Sequence, residues 1–206
     1  MVGEPLPVRQ TRVSAAHAPP RRRDARAPAR GRLLANVVVF EAAWFACLLA
    51  VAHGLPVWGT AAVVAAIAWH VAISARPAME LALAGALCAI GLAAESVMVA
   101  LGHVAYPAGQ PVAALPPYWL VALWGEFAIT LNVTLRWLKR RPWLAAALGA
   151  VFGPLSFLGG ARLGAARFVD ETAALVCLAM MWAVLMPLLM AVSDRLDGVI
   201  LRPDHA

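Results

Sequence analysis

Six apolar stretches, each about 20 residues long, leave this chain few folds to choose from. They run roughly over 33–53, 56–74, 79–101, 117–138, 143–164 and 172–192. A helix needs about 20 apolar residues to cross the hydrocarbon of a bilayer. Inside that hydrocarbon every backbone N–H and C=O must be satisfied within the protein, which a helix does by itself. The pattern predicts an all-α fold: a polytopic transmembrane helix bundle of about six spans. Composition agrees, since 63% of the 206 residues are hydrophobic and the mean hydropathy is +0.77. A water-soluble domain is nearer half apolar.

Charge fixes the expected topology. Seven of the 17 basic residues lie in a Pro-, Ala- and Arg-rich stretch over 1–31, with Arg32 just after it; the stretch has no apolar period and is predicted to be a disordered basic cytoplasmic tail. The run after it is longer than a signal-peptide core, so it reads as an uncleaved anchor. The membrane domain is expected over 32–194, with a short cytoplasmic tail over 195–206. With both termini inside, fifteen Lys and Arg fall on the cytoplasmic side and only Arg162 and Arg167 outside, as the positive-inside rule requires. The net charge of +6 does not point to nucleic acid, because no aromatic side chains are interleaved with the tail arginines for base stacking. Membrane lipids are the expected partners of this charge.

Against that apolar background the polar residues stand out. Glu41 lies near the middle of the first stretch and Glu126 near the middle of the fourth. Glu95 and Arg162 lie outward of the centres of the third and fifth stretches, roughly 7 and 10 Å from the midplane at 1.5 Å per residue. Their matching depth predicts a Glu95–Arg162 ion pair. A charge at the bilayer centre costs about 2.5–3.5 kcal/mol on insertion scales, so each of these groups is expected to face protein or water. Thr130 and Asn132 in the fourth stretch serve either as interhelical glue or as site lining. Arg136 is close enough to the cytoplasmic end to snorkel.

The fifth stretch contains GPLSFLGGARLG. Ser156, Gly160 and Gly164 form a small-xxx-small strip for another helix or a second copy of the chain, and Gly153 and Pro154 precede it. Pro154 is expected to bend the helix and free carbonyls, with a ligand-facing broken helix as the alternative to a packing groove. Cys47, Cys88 and Cys177 are widely spaced and read as small buried hydrophobes. His53, His70 and His103 lack metal-ligand spacing, and no metal site is expected. No P-loop, GxSxG or dinucleotide fingerprint is present, so no cofactor is expected and no catalytic residue is assigned.

Four blocks carry a resemblance: ANVVVFEAAWFACLLAVAHGLP, GLAAESVMVALG, PPYWLVALWGEFAITLNVTLRWL and RRPWLAAALGAVFGPLSFLGGARLGA. In these the chain resembles a family of small bacterial inner-membrane proteins catalogued as domain of unknown function 2878. The resemblance implies a multi-pass protein of the bacterial inner membrane, associated with genes for membrane fatty-acid modification. It also implies that glutamine is common at the position of Glu41 and aspartate at that of Glu95. Three functions follow as expectations. The first is a non-enzymatic component that binds lipid or holds a lipid-modifying membrane partner. The second is a small permease with a carboxylate-lined path, and the third an intramembrane lipid-modifying enzyme. A polar cavity joining Glu41, Glu126 and Ser156 favours the last two; a dry interior favours the first.

Overall fold

The structure, a computed structural model, describes residues 30–199, so most of both expected tails lies outside the described residues. Six helices match the six apolar stretches: α1 (Arg30–Ala52), α2 (Pro56–Ala72), α3 (Pro77–Leu101), α4 (Tyr118–Leu131), α5 (Pro142–Arg162) and α6 (Glu171–Arg195). Their ends follow from local chemistry. Pro56, Pro77 and Pro142 open α2, α3 and α5, where a missing N–H costs nothing. Asp170 caps α6, accepting from the Ala173 N–H at 3.0 Å. α5 stops in a Schellman turn in which Gly164 takes a φ of +92° and the Ala165 N–H reaches Gly160 O at 3.0 Å.

Four of the six, α1, α3, α5 and α6, are long and apolar enough to cross a membrane. α2 and α4, with 17 and 14 residues, fall short of it. Large apolar side chains such as Val57, Trp58, Val97 and Val184 are more than half exposed on the outside of the bundle. So much exposed apolar surface belongs in hydrocarbon.

α4 is the centre of the fold. It packs on α1, α2, α3 and α6, and most of its residues are buried. Here the expectation of a helix through 138 is corrected, because the α-helix ends at Leu131. The Thr130 carbonyl accepts from both Val133 N–H (3.2 Å) and Leu135 N–H (2.8 Å), and a 3-10 turn over Arg136–Leu138 follows. Asn132 draws the chain out of the helix: its amide donates to Glu80 Oε1 on α3 at 2.8 Å and to the Leu196 carbonyl beyond α6 at 3.1 Å. Irregular backbone near membrane depth is tolerated where protein surrounds it.

α3, α4, α6 and α5 are joined by a stack of two indoles between two glycines. Trp124 and Trp182 stack with centroids 4.8 Å apart and planes 13° apart. A Cβ added at Gly91 on α3 would run into Trp124, and one added at Gly153 on α5 would run into Trp182. Gly153 thus packs α5 on α6, together with Gly149, where an added Cβ would lie 2.7 Å from that of Met186. The rest of the expected strip faces elsewhere. Cβ atoms added at Gly160 and Gly164 would lie 3.7 Å from Leu48 and 3.4 Å from Ala52, both on α1. Ser156 is exposed, and α5 stays helical on both sides of Pro154.

The helix ends define two faces. At the basic end lie Arg30, Arg76, Lys139, Arg140 and Arg141. At the other end a two-residue antiparallel ladder joins β1 (Val104–Ala105) to β2 (Arg167–Phe168), the one departure from all-α among the described residues.

Candidate functional site

A cleft of about 750 Å³ opens between α1, α4 and α5, with Trp182 of α6 in its wall. α1 and α5 come together at Leu48–Gly160 and Ala52–Gly164, and the cleft beside them extends from Tyr106, Ala165 and Ala166 at the loop end to Leu138 at the basic end. α1 contributes Val37, Phe40, Glu41, Trp44 and Leu48, one face of a helix at 3.6 residues per turn. That face is roughly 16 Å long at 1.5 Å per residue. Leu123, Trp124 and Phe127 of α4 lie across from it, and Leu148, Phe152 and Ser156 of α5 form the far side. The Phe127 ring meets Trp182 edge-on at 5.6 Å and Phe40 at 6.5 Å.

The cleft is nearly all carbon. Its polar side chains include Glu41, Ser156, Thr130 and Thr134. The Thr130 hydroxyl is used locally, donating to Phe127 O at 2.7 Å, and the Thr134 hydroxyl donates to Asn36 Oδ1 at 2.7 Å. Glu41 is exposed to the cleft and closes no hydrogen bond or ion pair among the described residues. The two α1–α5 contacts share one register, which puts Glu41 level with Gly153 and Ser156 about 4.5 Å nearer the loop end. Glu126 does not reach the cleft. It is 0% exposed, neither carboxylate oxygen has a hydrogen-bond partner, and Glu41 and Cys47 lie within electrostatic reach.

Glu95 and Arg162 are not paired. Glu95 is enclosed and accepts from Trp124 Nε1 at 3.1 Å. The Tyr106 hydroxyl lies beside the same carboxylate, but neither it nor Glu95 Oε2 closes a hydrogen bond. Arg162 is exposed. The reason is architectural: α5 packs on α6 rather than on α3, so matching depth does not bring the two groups together.

The basic end holds a polar knot that the sequence reading did not assemble, although it named Asn132, Arg136 and His70. Glu80 Oε1 accepts from Asn132 Nδ2 (2.8 Å) and the Gly198 N–H (2.7 Å), while Oε2 meets His70 Nε2 at 2.9 Å. The Lys139 ammonium donates to Asn132 Oδ1 (2.7 Å), Asp197 Oδ2 (3.1 Å) and Ser193 O (3.2 Å). Arg136 does not snorkel free but pairs with Asp197. His70, read as unremarkable, is buried at this centre. Residues 196–199, within the expected short cytoplasmic tail, are tied to the bundle, with the Arg76 N–H donating to Gly198 O at 2.9 Å.

Burial holds Lys139 below its ordinary ammonium value, against the pull of Asp197. Burial pushes Asp197 up, but hydrogen bonds from Arg136 and Lys139 and their charges outweigh it and leave the carboxyl below its ordinary range. One sequence signal of the knot was present: the acids Glu80, Asp194 and Asp197 sit among the cations of the same helix ends. Among the described residues no three His, Cys, Asp or Glu side chains form a metal-binding group.

Apolar helices of spanning length around a sparsely polar interior define a helical membrane protein. The chain belongs to the family described as protein of unknown function (DUF2878), which matches residues 33–188. No curated protein and no solved structure matches it.

Proposed function

We propose that this protein is a multi-pass component of the bacterial inner membrane that holds the hydrocarbon chain of a lipid-like molecule between α1, α4 and α5. One observation carries the reading: the cleft is long, aromatic-walled and almost free of polar atoms, with a volume in the roughly 300–1,000 Å³ range of small-molecule sites. A water-filled path would need more polar lining than Glu41 and Ser156 supply. In this reading Glu41 and Ser156 are the polar contacts partway along the bound chain. The asymmetry of basic residues supports a cytoplasmic position for both termini.

The permease alternative draws on a separate observation, the unpartnered Glu126 behind Glu41. It requires that Glu126→Gln abolish transport while lipid binding persists.

Native mass spectrometry of protein purified in a mild neutral detergent tests the lipid reading. A stoichiometric lipid adduct is expected, reduced about tenfold or more, or about 1.4 kcal/mol, in Ser156→Trp, whose indole fills the cleft. Absence of an adduct, or one indifferent to Ser156→Trp at equal thermal stability, contradicts it.

A further inference from the structure

We infer that the molecule held in the cleft carries an anionic headgroup, a carboxylate or phosphate, bound at the basic end by Arg140, Arg141 and the first turn of α5. This rests on the chain-binding reading above and names the ligand class of the same site.

Positive charge at this end already follows from topology, so charge alone assigns nothing. Position and availability do. The cleft runs to Trp137 and Leu138, and the next residues but one are Arg140 and Arg141. The Arg141 guanidinium lies 5.9 Å from the centre of the Trp137 ring. Arg136 and Lys139 share Asp197, and Asp194 lies 3.8 Å from Lys139. Arg140 and Arg141 are exposed and close no ion pair among the described residues.

α5 begins at Pro142, so the free N–H groups of its first turn lie beside the same two arginines. A helix N-terminus favours an anion through those N–H groups and the helix dipole. Arg30 stands seven residues before Val37 and so on the same face of α1. The basic end of the cleft is thereby flanked by cations on both walls. Glu41, level with Gly153, lies about 18 Å along α5 from Arg141. A head at the arginines is therefore in direct reach of two cations and about 18 Å from that carboxylate, and Coulomb interaction falls with distance. An amphiphile seated this way has its head at the membrane surface and its chain running past Phe152 toward Ser156.

The test uses the full chain, delipidated in neutral detergent and offered an equimolar mixture of palmitic acid, phosphatidylglycerol and phosphatidylcholine. Adducts are counted by native mass spectrometry. Wild type is expected to favour one or both anionic lipids about tenfold over phosphatidylcholine, a factor worth about 1.4 kcal/mol. Which anionic lipid is taken separates a carboxylate head from a phosphate one. In the double variant Arg140→Gln, Arg141→Gln, with its fold checked by circular dichroism, the preference is expected to fall to about twofold. Raised salt is expected to weaken the wild-type preference. Equal uptake of all three lipids, or a preference untouched in the double variant, overturns the headgroup assignment and leaves chain binding standing. No adduct with any lipid overturns both.

Discussion

Two sets of buried or membrane-level acids in this molecule behave in opposite ways. At the basic end, Glu80 and Asp197 are enclosed and satisfied: Glu80 has three partners, and Asp197 has Arg136 and Lys139. At mid-depth, Glu41 and Glu126 have no hydrogen-bond partner among the described residues. A closed network fixes where α2, α3, α4 and α6 meet. Unpartnered carboxylates fix nothing, and their desolvation is a standing cost. The comparison assigns the first set to architecture; of the second, Glu41 lines the cleft and Glu126 lies behind it.

The largest expected effect comes from opening the knot. Glu80→Ala strands Asn132, the Gly198 N–H and His70 in a buried site, a loss of about 3–5 kcal/mol if it behaves as a broken buried pair. Thermal unfolding in detergent is expected to show a marked drop in Tm, and an unchanged Tm would remove the architectural role.

Asp197 gives the next effect, through pH. Its folded-state carboxyl is held below the ordinary value of about 3.9. Its contribution is therefore complete above that value and is lost as pH falls through the lower folded one. An acid unfolding series is expected to show Asp197→Asn less stable than wild type at pH 7, with the gap closing below about pH 4. A gap that stays constant to pH 2 would mean that the charge of Asp197 is not what matters.

Trp124→Phe is smaller. It removes the bond to Glu95 while keeping a ring on Trp182, and is expected to cost about 1 kcal/mol by the same unfolding assay. Smallest of all is Glu126→Gln, within about 0.5 kcal/mol of wild type, because no hydrogen bond is lost. A loss as large as that of Glu80→Ala would erase the contrast between the two sets.

Much of the fold was legible in the sequence because its signals are local. Apolar length marked the six helices. What escaped depends on which helices touch. Asn132 meets Glu80 across 52 residues, and Gly198 meets Glu80 across 118. No periodicity encodes those partners. The Glu95–Arg162 expectation erred for the same reason, since depth is readable from spacing and adjacency is not. Glu41 and Ser156 were picked out as polar intruders, but the cleft that brings them to one surface depends on how α1, α4 and α5 pack, which spacing does not encode.

The most direct measurement is site-specific photo-crosslinking in native membranes, with benzoylphenylalanine replacing Phe127 on the cleft floor or Val97 on the outer face of α3. The account predicts a discrete lipid adduct at 127 that Ser156→Trp suppresses, against a heterogeneous, unaffected lipid spread at 97. The same spread at both positions, or crosslinks at 127 to this chain alone, would contradict it.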